Sequence, residues 1–198
     1  MIIALIDYGT GNLHSLAKAL QTGGASVRIE ADPQQAIRAD AIVLPGVGAF
    51  GAAATHLMAG SSALSAALAA GKPCLGICLG MQLLFDTSEE GPGTGLGALR
   101  GHVRKLHARR LPHMGWNEVT MVDDPLFSRL DNLVAYYANS FVVQPADESE
   151  VIAWSQYGSE RFPAAVRRDR IWGVQFHPEK SGAPGLRLLR NFLAQARN

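Results

Sequence analysis

The stretch KPCLGICLGMQLLFD, residues 72–86, joins a short apolar run to a helix-like one through a corner that contains Cys78. We expect its first six residues to form a strand and residues 79–86 a helix, because apolar residues recur at helical spacing after the corner. Gly76 and Gly80 flank Cys78 and would let the strand and the helix approach closely. A buried structural cysteine needs no flanking glycines. The pattern therefore indicates a sharp backbone bend at the sulfur.

Outward from this corner, short apolar runs alternate with amphipathic ones. In the first half we expect strands at 2–6, 26–30 and 41–45 and helices at 12–24 and 52–71. In the second half, after a glycine-rich loop at 89–101, we expect β runs at 116–122, 134–143, 150–156, 164–168 and 171–176 and a closing helix at 185–196. The β-α order predicts an α/β fold: an open doubly wound, mostly parallel sheet with helices on both faces. The β runs of the C-terminal half would extend this sheet as antiparallel hairpins.

Composition restricts the class of protein. The chain has 198 residues, 47% hydrophobic and 18% charged, and we expect one domain over 1–198. A net charge of +1 gives no electrostatic case for nucleic acid or a membrane as the main partner. The N-terminal residues lack a charged leader, so we expect no signal peptide and no membrane span there. Only two cysteines occur, too close together for a stabilising long-loop disulfide, which indicates a cytoplasmic protein.

Cys78 is the candidate nucleophile. Open α/β sheets bind ligands at the carboxyl ends of their strands, and the order strand, tight turn, helix is that of a nucleophile elbow. A strained backbone would lift the Cys78 side chain out of the core, and the helix N-terminus would favour its thiolate. The N–H of Leu79 could donate to an oxyanion. Cys74, inside the preceding strand, is expected to be plain core.

A cysteine nucleophile needs a base and a group that orients the base. The run 171–176 ends in His177, Pro178 and Glu179. In an extended segment residues i and i+2 lie on the same side, so Glu179 can hydrogen-bond the imidazole of His177. The other histidines occur in helical or loop contexts without a well-spaced carboxylate, and we expect surface or packing roles for His14, His56, His102, His107 and His113.

Two glycine-rich turns follow other strands. PGVGAFG, residues 45–51, could expose backbone N–H groups that complete an oxyanion hole or hold a carboxylate. A phosphate cradle would need the lysine and hydroxyl of a P-loop, which this stretch lacks. DYGTGNLHS, residues 7–15, has His14 where a dinucleotide fingerprint has its third glycine, so we expect a tight turn entering a helix. No second ligand pair stands near the cysteines at zinc spacing. We expect neither a metal nor a cofactor.

Taken together, PGVGAFG, GICLGMQ (76–82) and HPE (177–179) resemble the triad-type, class I glutamine amidotransferases over nearly the whole chain. The resemblance implies that Cys78 is the nucleophile, His177 the base and acid, and Glu179 the group that orients His177. It implies oxyanion donors at Leu79 and Gly48, and a glutamine site formed by Gly46, Gln82, Ser140 and Phe141. The family commonly has histidine, then serine or threonine, then tyrosine where this chain has Asn139, Ser140 and Phe141.

Within that family, DYGTGN, LPHMGWN (111–117) and HPEKSG (177–182) are similar to the glutaminase subunits of imidazole glycerol phosphate synthases, in histidine biosynthesis. The similarity implies a heterodimer with a (βα)₈ cyclase subunit that receives the ammonia through a channel, and an interface containing Asn12, Met114, Trp116 and Lys180. It also implies low activity without the partner. Two glycines around Val47 would let a peptide plane of the 46–48 segment rotate at modest cost.

Two other enzyme hypotheses fit the same motifs. One is a glutaminase subunit serving another synthase of the anthranilate type, although those relatives usually carry serine where Lys180 stands. The other is a stand-alone cysteine hydrolase on the same fold, which would have no obvious need for Gln82 or the 111–117 segment. A binding protein without activity is disfavoured, because all three triad positions are present.

Overall fold

A computed structural model describes residues 1–9 and 13–198. The strands in these residues are β1 Ile2–Ile6, β2 Ser26–Glu30, β3 Ala41–Leu44, β4 Cys74–Ile77, β5 Thr87–Ser88, β6 Gly101–Lys105, β7 His113–Met121, β8 Leu133–Asn139, β9 Phe141–Pro145, β10 Val151–Tyr157, β11 Glu160–Arg168 and β12 Ile171–Val174. The α-helices are α1 Leu13–Thr22, α2 Pro33–Ala36, α3 Phe50–Leu57, α4 Ser61–Ala69, α5 Leu79–Gln82 and α6 Gly182–Arg197. Short 3-10 turns lie at Met58–Gly60, Pro125–Phe127, Glu148–Glu150 and Pro178–Lys180.

The main sheet of the described residues has nine strands in the order β2-β1-β3-β4-β12-β11-β10-β7-β8. From β2 to β12 neighbouring strands are parallel, and from β12 to β8 they are antiparallel. The α/β fold with an antiparallel extension, predicted from the sequence, is confirmed. The order also makes β4 and β12 neighbours, although they are far apart in sequence.

Helices cover both faces of the sheet because strand side chains alternate between the faces. In β1, Ile3 and Leu5 belong to the apolar cluster that contains the buried residues of α1 and α6. Ala4 and Ile6 belong to the other cluster, with the buried residues of α3, α4 and α5. Two apolar layers therefore hold the central strands, and these strands are apolar on both faces.

The run 134–143, predicted as one β segment, breaks at Ser140. Its first part is β8, at the edge of the main sheet, and its second part is β9, in a separate sheet of order β5-β6-β9. The Ser140 carbonyl accepts from the Leu106 N–H (2.9 Å), and β9 then pairs with β6. The prediction that all C-terminal strands extend one sheet is therefore wrong for β9. Both parts of the run are apolar, so its periodicity contains no sign of the break.

The two helices predicted at 79–86 and 52–71 are also corrected. The first ends at Gln82, because the glycine-rich loop folds back against the residues that follow. The N–H groups of Leu96 and Leu99 in this loop donate to the carbonyls of Leu83 and Leu84, at 2.8 and 3.0 Å. The second is divided into α3 and α4 by the 3-10 turn Met58–Gly60. Within residues 1–9 and 13–198, no helix combines the length and hydropathy needed to cross a membrane.

Candidate active site

Cys78 lies at the corner between β4 and α5 with φ 50° and ψ −105°, a left-handed backbone region that non-glycine residues rarely adopt. Its N–H donates to the Val174 carbonyl of β12 at 2.7 Å. A Cβ added at Gly76 would lie 2.6 Å from the Gly80 carbonyl oxygen, and one at Gly80 would lie 2.0 Å from that of Leu44. The bend predicted from the glycines is present, and only glycine fits the close approach on either side.

The imidazole of His177 stands between Cys78 and Glu179. Because β12 runs parallel beside β4, with Val174 opposite Ile77, the segment that follows β12 passes the Cys78 corner. The Nδ1 atom of His177 lies 2.9 Å from Oε1 of Glu179, and the ring also hydrogen-bonds to Cys78. His177 is only 1% exposed. The structure thus brings together the three residues that the sequence singled out.

The backbone of His177 is held from two sides. Its N–H donates to the Tyr136 carbonyl of β8 at 2.8 Å. The hydroxyl of Ser181 donates to the His177 carbonyl at 2.7 Å and accepts from the Tyr136 N–H at 3.0 Å. These bonds tie the turn that carries His177 to the edge strand of the main sheet.

The charge state of His177 follows from its two neighbours. Burial by itself lowers the pKa of His177, but hydrogen bonds and negative charge at Cys78 and Glu179 outweigh burial and raise the pKa to about 10. The ring is then an imidazolium at neutral pH. An imidazolium beside the sulfur favours a thiolate–imidazolium pair, the reactive form of a cysteine nucleophile.

A cavity of about 290 Å³ opens in front of the Cys78 sulfur. Its lining includes most of the residues predicted for catalysis and substrate binding, namely Gly46, Gly48, Cys78, Leu79, Gln82, Ser140, Phe141 and His177. It also includes Lys180, which was predicted at the interface. Glu179 does not line the cavity and lies behind His177. The volume is at the small end of the range for ligand pockets, which suits a small polar molecule.

Two amides shape the wall of this cavity formed by the β8–β9 junction. Nε2 of Gln82 and Nδ2 of Asn139 both donate to the Phe141 carbonyl, at 3.2 and 3.1 Å. Asn139 itself is buried and lines the cavity. The amide of Asn139 therefore supports the backbone that carries Ser140 and Phe141.

Two backbone N–H groups are candidates for an oxyanion hole. The N–H of Leu79 belongs to the first residue of α5, where no intrahelical acceptor is available. Gly48 has φ +122°, a conformation that favours glycine. Since α5 is a single turn, its dipole contributes less to a thiolate than the predicted helix 79–86 would.

Two polar residues of the site escaped prediction. Glu90 lines the cavity, and its Oε2 accepts from the Phe50 N–H at the start of α3, at 2.9 Å. Gln175 is fully buried, and its Nε2 lies 3.5 Å from the Cys78 sulfur. Glu90 lies in a loop without periodicity. Gln175 is two residues before His177 in an otherwise apolar strand end, and that polar interruption was the one signal in the sequence.

Beside the cavity, the predicted interface residues form an exposed patch. Met114 and Trp116 are 63% and 59% exposed. The Trp116 ring meets Tyr136 edge to face at 6.0 Å, and Nζ of Lys180 lies 5.7 Å from the centre of the Tyr136 ring. We call Met114, Trp116, Tyr136 and Lys180 the docking patch. Asn12, also predicted at the interface, lies outside the described residues, as does part of the 7–15 turn.

The remaining histidines and Cys74 do not meet this site. His102 and His113 lie in strands β6 and β7, which corrects their expected helical or loop context. His113 is buried and stacks between Tyr137 and Tyr157, with ring centres 4.8 and 4.1 Å away, so its packing role is confirmed. Cys74 is core, as predicted. Across the described residues, no three His, Cys, Asp or Glu side chains cluster in a way that could hold a metal ion.

Comparison with known sequences gives matches over nearly the whole chain. The family described as Glutamine amidotransferase class-I matches residues 4–196. Imidazole glycerol phosphate synthase subunit HisH of Gloeothece citriformis is 47% identical over 204 residues, covering 99% of this chain and 97% of the relative. The protein of the same name from Halobacterium salinarum is 46% identical over 201 residues, covering 96% and 92%.

Solved structures agree on the fold. A structure described as a glutamine amidotransferase superposes with a TM-score of 0.79 at 20% identity, covering 98% of this chain and 99% of that one. A protein described as part of a putative GMP synthase, from Thermoplasma acidophilum, gives 0.77 at 19% identity, covering 100% and 94%. At these identities the likeness concerns the fold alone.

Proposed function

The chain belongs to the class I glutamine amidotransferase family, and on that premise we propose that it hydrolyses glutamine in the Cys78 cavity and supplies the ammonia to a cyclase subunit that makes imidazole glycerol phosphate in histidine biosynthesis. One observation carries the chemistry: a cysteine at a strained strand–helix corner shares a small cavity with buried His177, whose ring is hydrogen-bonded to Glu179 behind it. The identity of 47% to a synthase subunit, over the length of both chains, supports the pathway.

The first half of the reaction forms a thioester. The Cys78 thiolate attacks the side-chain carbonyl carbon of glutamine, and the carbonyl oxygen becomes an oxyanion. The N–H groups of Leu79 and Gly48 are the proposed donors to that oxygen, and one such donor contributes roughly 3 to 4 kcal/mol of transition-state stabilisation. The imidazolium of His177 gives its proton to the leaving nitrogen, and ammonia departs as the C–N bond breaks.

The second half releases glutamate. Neutral His177 takes a proton from a water molecule, which attacks the thioester carbonyl through a second oxyanion. The C–S bond breaks, the thiolate returns, and the proton on His177 restores the imidazolium. Glu179, 2.9 Å from Nδ1, keeps the ring oriented through both steps.

The cavity supplies charges of both signs for the amino-acid end of glutamine. Glu90 and Lys180 both line it. We propose that Glu90 faces the ammonium group of the substrate. The Phe50 N–H holds Oε2 of this carboxylate, and Oε1 is the proposed acceptor for the ammonium. Gln82, Ser140, Phe141 and Gly46 would complete the glutamine site.

The docking patch is the proposed contact with the cyclase. It combines exposed apolar side chains with a lysine that also lines the cavity, so a partner seated there would cover the opening. Ammonia released into neutral water is mostly protonated and is no longer a nucleophile, which favours a covered route between the subunits. We place this heterodimer in the cytoplasm, because the two cysteines of the chain, Cys74 and Cys78, are both free, as is usual in a reducing compartment.

The test measures glutamate release by the chain alone, with cyclase, and with cyclase plus its nucleotide substrate. We expect low, higher and highest rates, because the Gly46–Gly48 segment would align its oxyanion donor fully only in the loaded complex; one missing donor lowers the rate about a hundred- to thousandfold. Three similar rates would refute this dependence.

Cys78→Ala completes the test. It should abolish glutamine-dependent synthesis and leave synthesis from added ammonia, because the cyclase site is untouched. Loss of both activities in an assembled complex would contradict the proposal. Glutamine hydrolysis that serves an anthranilate-type synthase instead, or amide hydrolysis without preference for glutamine, would favour one of the two other enzyme hypotheses.

A further inference from the structure

We propose that Gln175 is a further catalytic residue, whose side-chain amide donates a hydrogen bond to the Cys78 sulfur and stabilises it as a thiolate. The proposal rests on the proposed function, in which Cys78 is the nucleophile. Its basis is the 3.5 Å approach of Nε2 of Gln175 to the sulfur, inside a fully buried environment.

The position of Gln175 is set by the backbone on both sides. Its N–H donates to the Ala164 carbonyl of β11 at 2.8 Å, and the preceding Val174 carbonyl accepts from the Cys78 N–H at 2.7 Å. The chain at 174–175 is therefore fastened both to β11 and to the nucleophile. A side chain held so close to the corner can reach the sulfur without a flexible loop.

Burying the side-chain amide of Gln175 costs free energy that only a function at the sulfur would explain. Its Oε1 is buried and has no hydrogen-bond partner among the described residues. A buried, unpaired polar atom costs roughly 1 to 3 kcal/mol, and an apolar side chain of similar size would avoid that cost. The side-chain amide directs its hydrogen bond to Cys78. Local cost of this kind is expected where a residue serves a function.

The side-chain amide of Gln175 presents a hydrogen-bond donor to the sulfur, as a thiolate requires. A thiolate only accepts hydrogen bonds, and the NH₂ end of the amide, which only donates, faces the sulfur. His177 contacts the sulfur as a second donor. Two donors would stabilise the anion before attack and again when sulfur is the leaving group of the thioester. Because α5 is only one turn long, its dipole stabilises the thiolate less than a longer helix would. The two side-chain donors therefore provide a larger part of that stabilisation.

The test is the pH dependence of Cys78 alkylation by iodoacetamide, combined with glutamine turnover in the complex with cyclase. Cys74 is fully buried and serves as an unreactive internal reference. The other ionisable groups around the sulfur, among the residues described, are His177 with Glu179 behind it, and Glu90 and Lys180 in the cavity wall. All four are unchanged in the variants below.

Gln175→Leu should move the pH midpoint of alkylation upward by about one unit or more and lower kcat by about 10- to 100-fold, with a small change in KM for glutamine. Gln175→Glu, of the same shape with an acceptor in place of the donor, should move the midpoint further. Gln175→Met keeps the length of the side chain and also lacks the donor. It replaces Gln175→Leu if that variant folds poorly, and it should show the same shift of the midpoint and the same fall in kcat. Tyr137→Phe is the matched control, since it removes a buried 2.7 Å hydrogen bond to Ser155 away from the sulfur.

A wild-type midpoint in Gln175→Leu overturns the inference, and so does a fall in kcat without a shift of the midpoint, since that result would mean a structural role. Alkylation needs no glutamine, so this outcome is separate from the fate of the proposed function. If wild-type complex and Cys78→Ala release glutamate equally, the proposed function fails, whatever the alkylation midpoint shows.

Discussion

At the scale of single residues, the site depends on one imidazole that is shared by a sulfur and a carboxylate. Burial alone would lower the pKa of His177, but its interactions with Cys78 and Glu179 raise this pKa to about 10. Glu179 has one oxygen on Nδ1 of His177 and a second, Oε2, buried without a partner among the described residues. Among the described residues, the hydrogen-bond partner of this carboxylate is therefore the imidazole of His177, which it orients and helps to keep protonated.

Glu179→Gln tests the orienting role of this carboxylate. The amide preserves shape but removes the charge and allows the wrong imidazole tautomer, so we expect glutamine turnover to fall about 10²- to 10⁴-fold. The fall should be smaller than in Cys78→Ala, which lacks the nucleophile. Turnover with cyclase is the measurement, and Glu148→Gln, at an exposed position, is the control. Equal rates for wild type and Glu179→Gln would count against the triad.

The titration of His177 gives a second prediction. Its pKa in the folded chain, about 10, lies above the ordinary 6.5. The protonated ring therefore contributes stability that is fully present below pH 6.5 and is lost as the pH rises through about 10. Cys78→Ser should lower the pKa of His177 by more than one unit, because a charge and a strong acceptor disappear.

Imidazole NMR of ¹⁵N-histidine-labelled chain would follow this titration. Unfolding by urea across the same pH range should show a steeper loss of stability in wild type than in Cys78→Ser. An unchanged His177 titration in the variant would show that the sulfur does not hold the proton on the ring.

At the scale of elements, the corner between β4 and α5 works because glycines remove side chains from a crowded crossing. Gly80 packs against the Leu44 backbone of β3, the strand that leads into the 45–51 turn. Gly46, in that turn, would place a Cβ 2.5 Å from the Ile77 carbonyl oxygen. The nucleophile corner and the proposed oxyanion turn are thus in direct backbone contact.

Gly80→Ala should destabilise the chain by about 3 kcal/mol or more, because the new Cβ would meet backbone at 2.0 Å and no side chain can move away. The change in the free energy of unfolding can be measured with urea. Gly91→Ala is the matched control, since its Cβ would have no neighbour closer than 3.9 Å. Similar stability of both variants would mean that the elbow tolerates a wider separation.

At the scale of the whole molecule, the cavity and the docking patch adjoin each other at β8, whose last residues line the cavity. Tyr136 of β8 links them, with its ring in the patch and its backbone bonded to the His177 turn. A partner bound to the docking patch would therefore contact the strand that holds the turn with His177.

Lys180→Glu should weaken association with the cyclase by about 2 kcal/mol or more if the lysine is paired and desolvated in the complex. Trp116→Ala should weaken association as well, because large exposed aromatic residues are frequent energetic centres of interfaces. Isothermal titration calorimetry measures both. Arg28→Glu, exposed on β2 at the opposite edge of the main sheet, is the control and should leave the affinity unchanged. Wild-type affinity and coupling in Lys180→Glu would refute the assignment.

The sequence alone was sufficient for the features that neighbouring residues encode. The β-α alternation, the glycine-flanked bend at Cys78 and the His177–Glu179 spacing are short-range patterns. Backbone sterics and side-chain periodicity express such patterns wherever the segment lies. The fold class and the three residues of the proposed triad could therefore be named without coordinates.

Only the tertiary structure decided which distant segments meet. The pairing of β4 with β12 brings Gln175 to the Cys78 sulfur, the glycine-rich loop ends α5 early and brings Glu90 to the cavity, and the chain leaves the main sheet at Ser140. Each of these depends on contacts between residues far apart in sequence. Strand pairing and burial are settled by the packing of the whole core, and a local pattern contains no record of its distant neighbours.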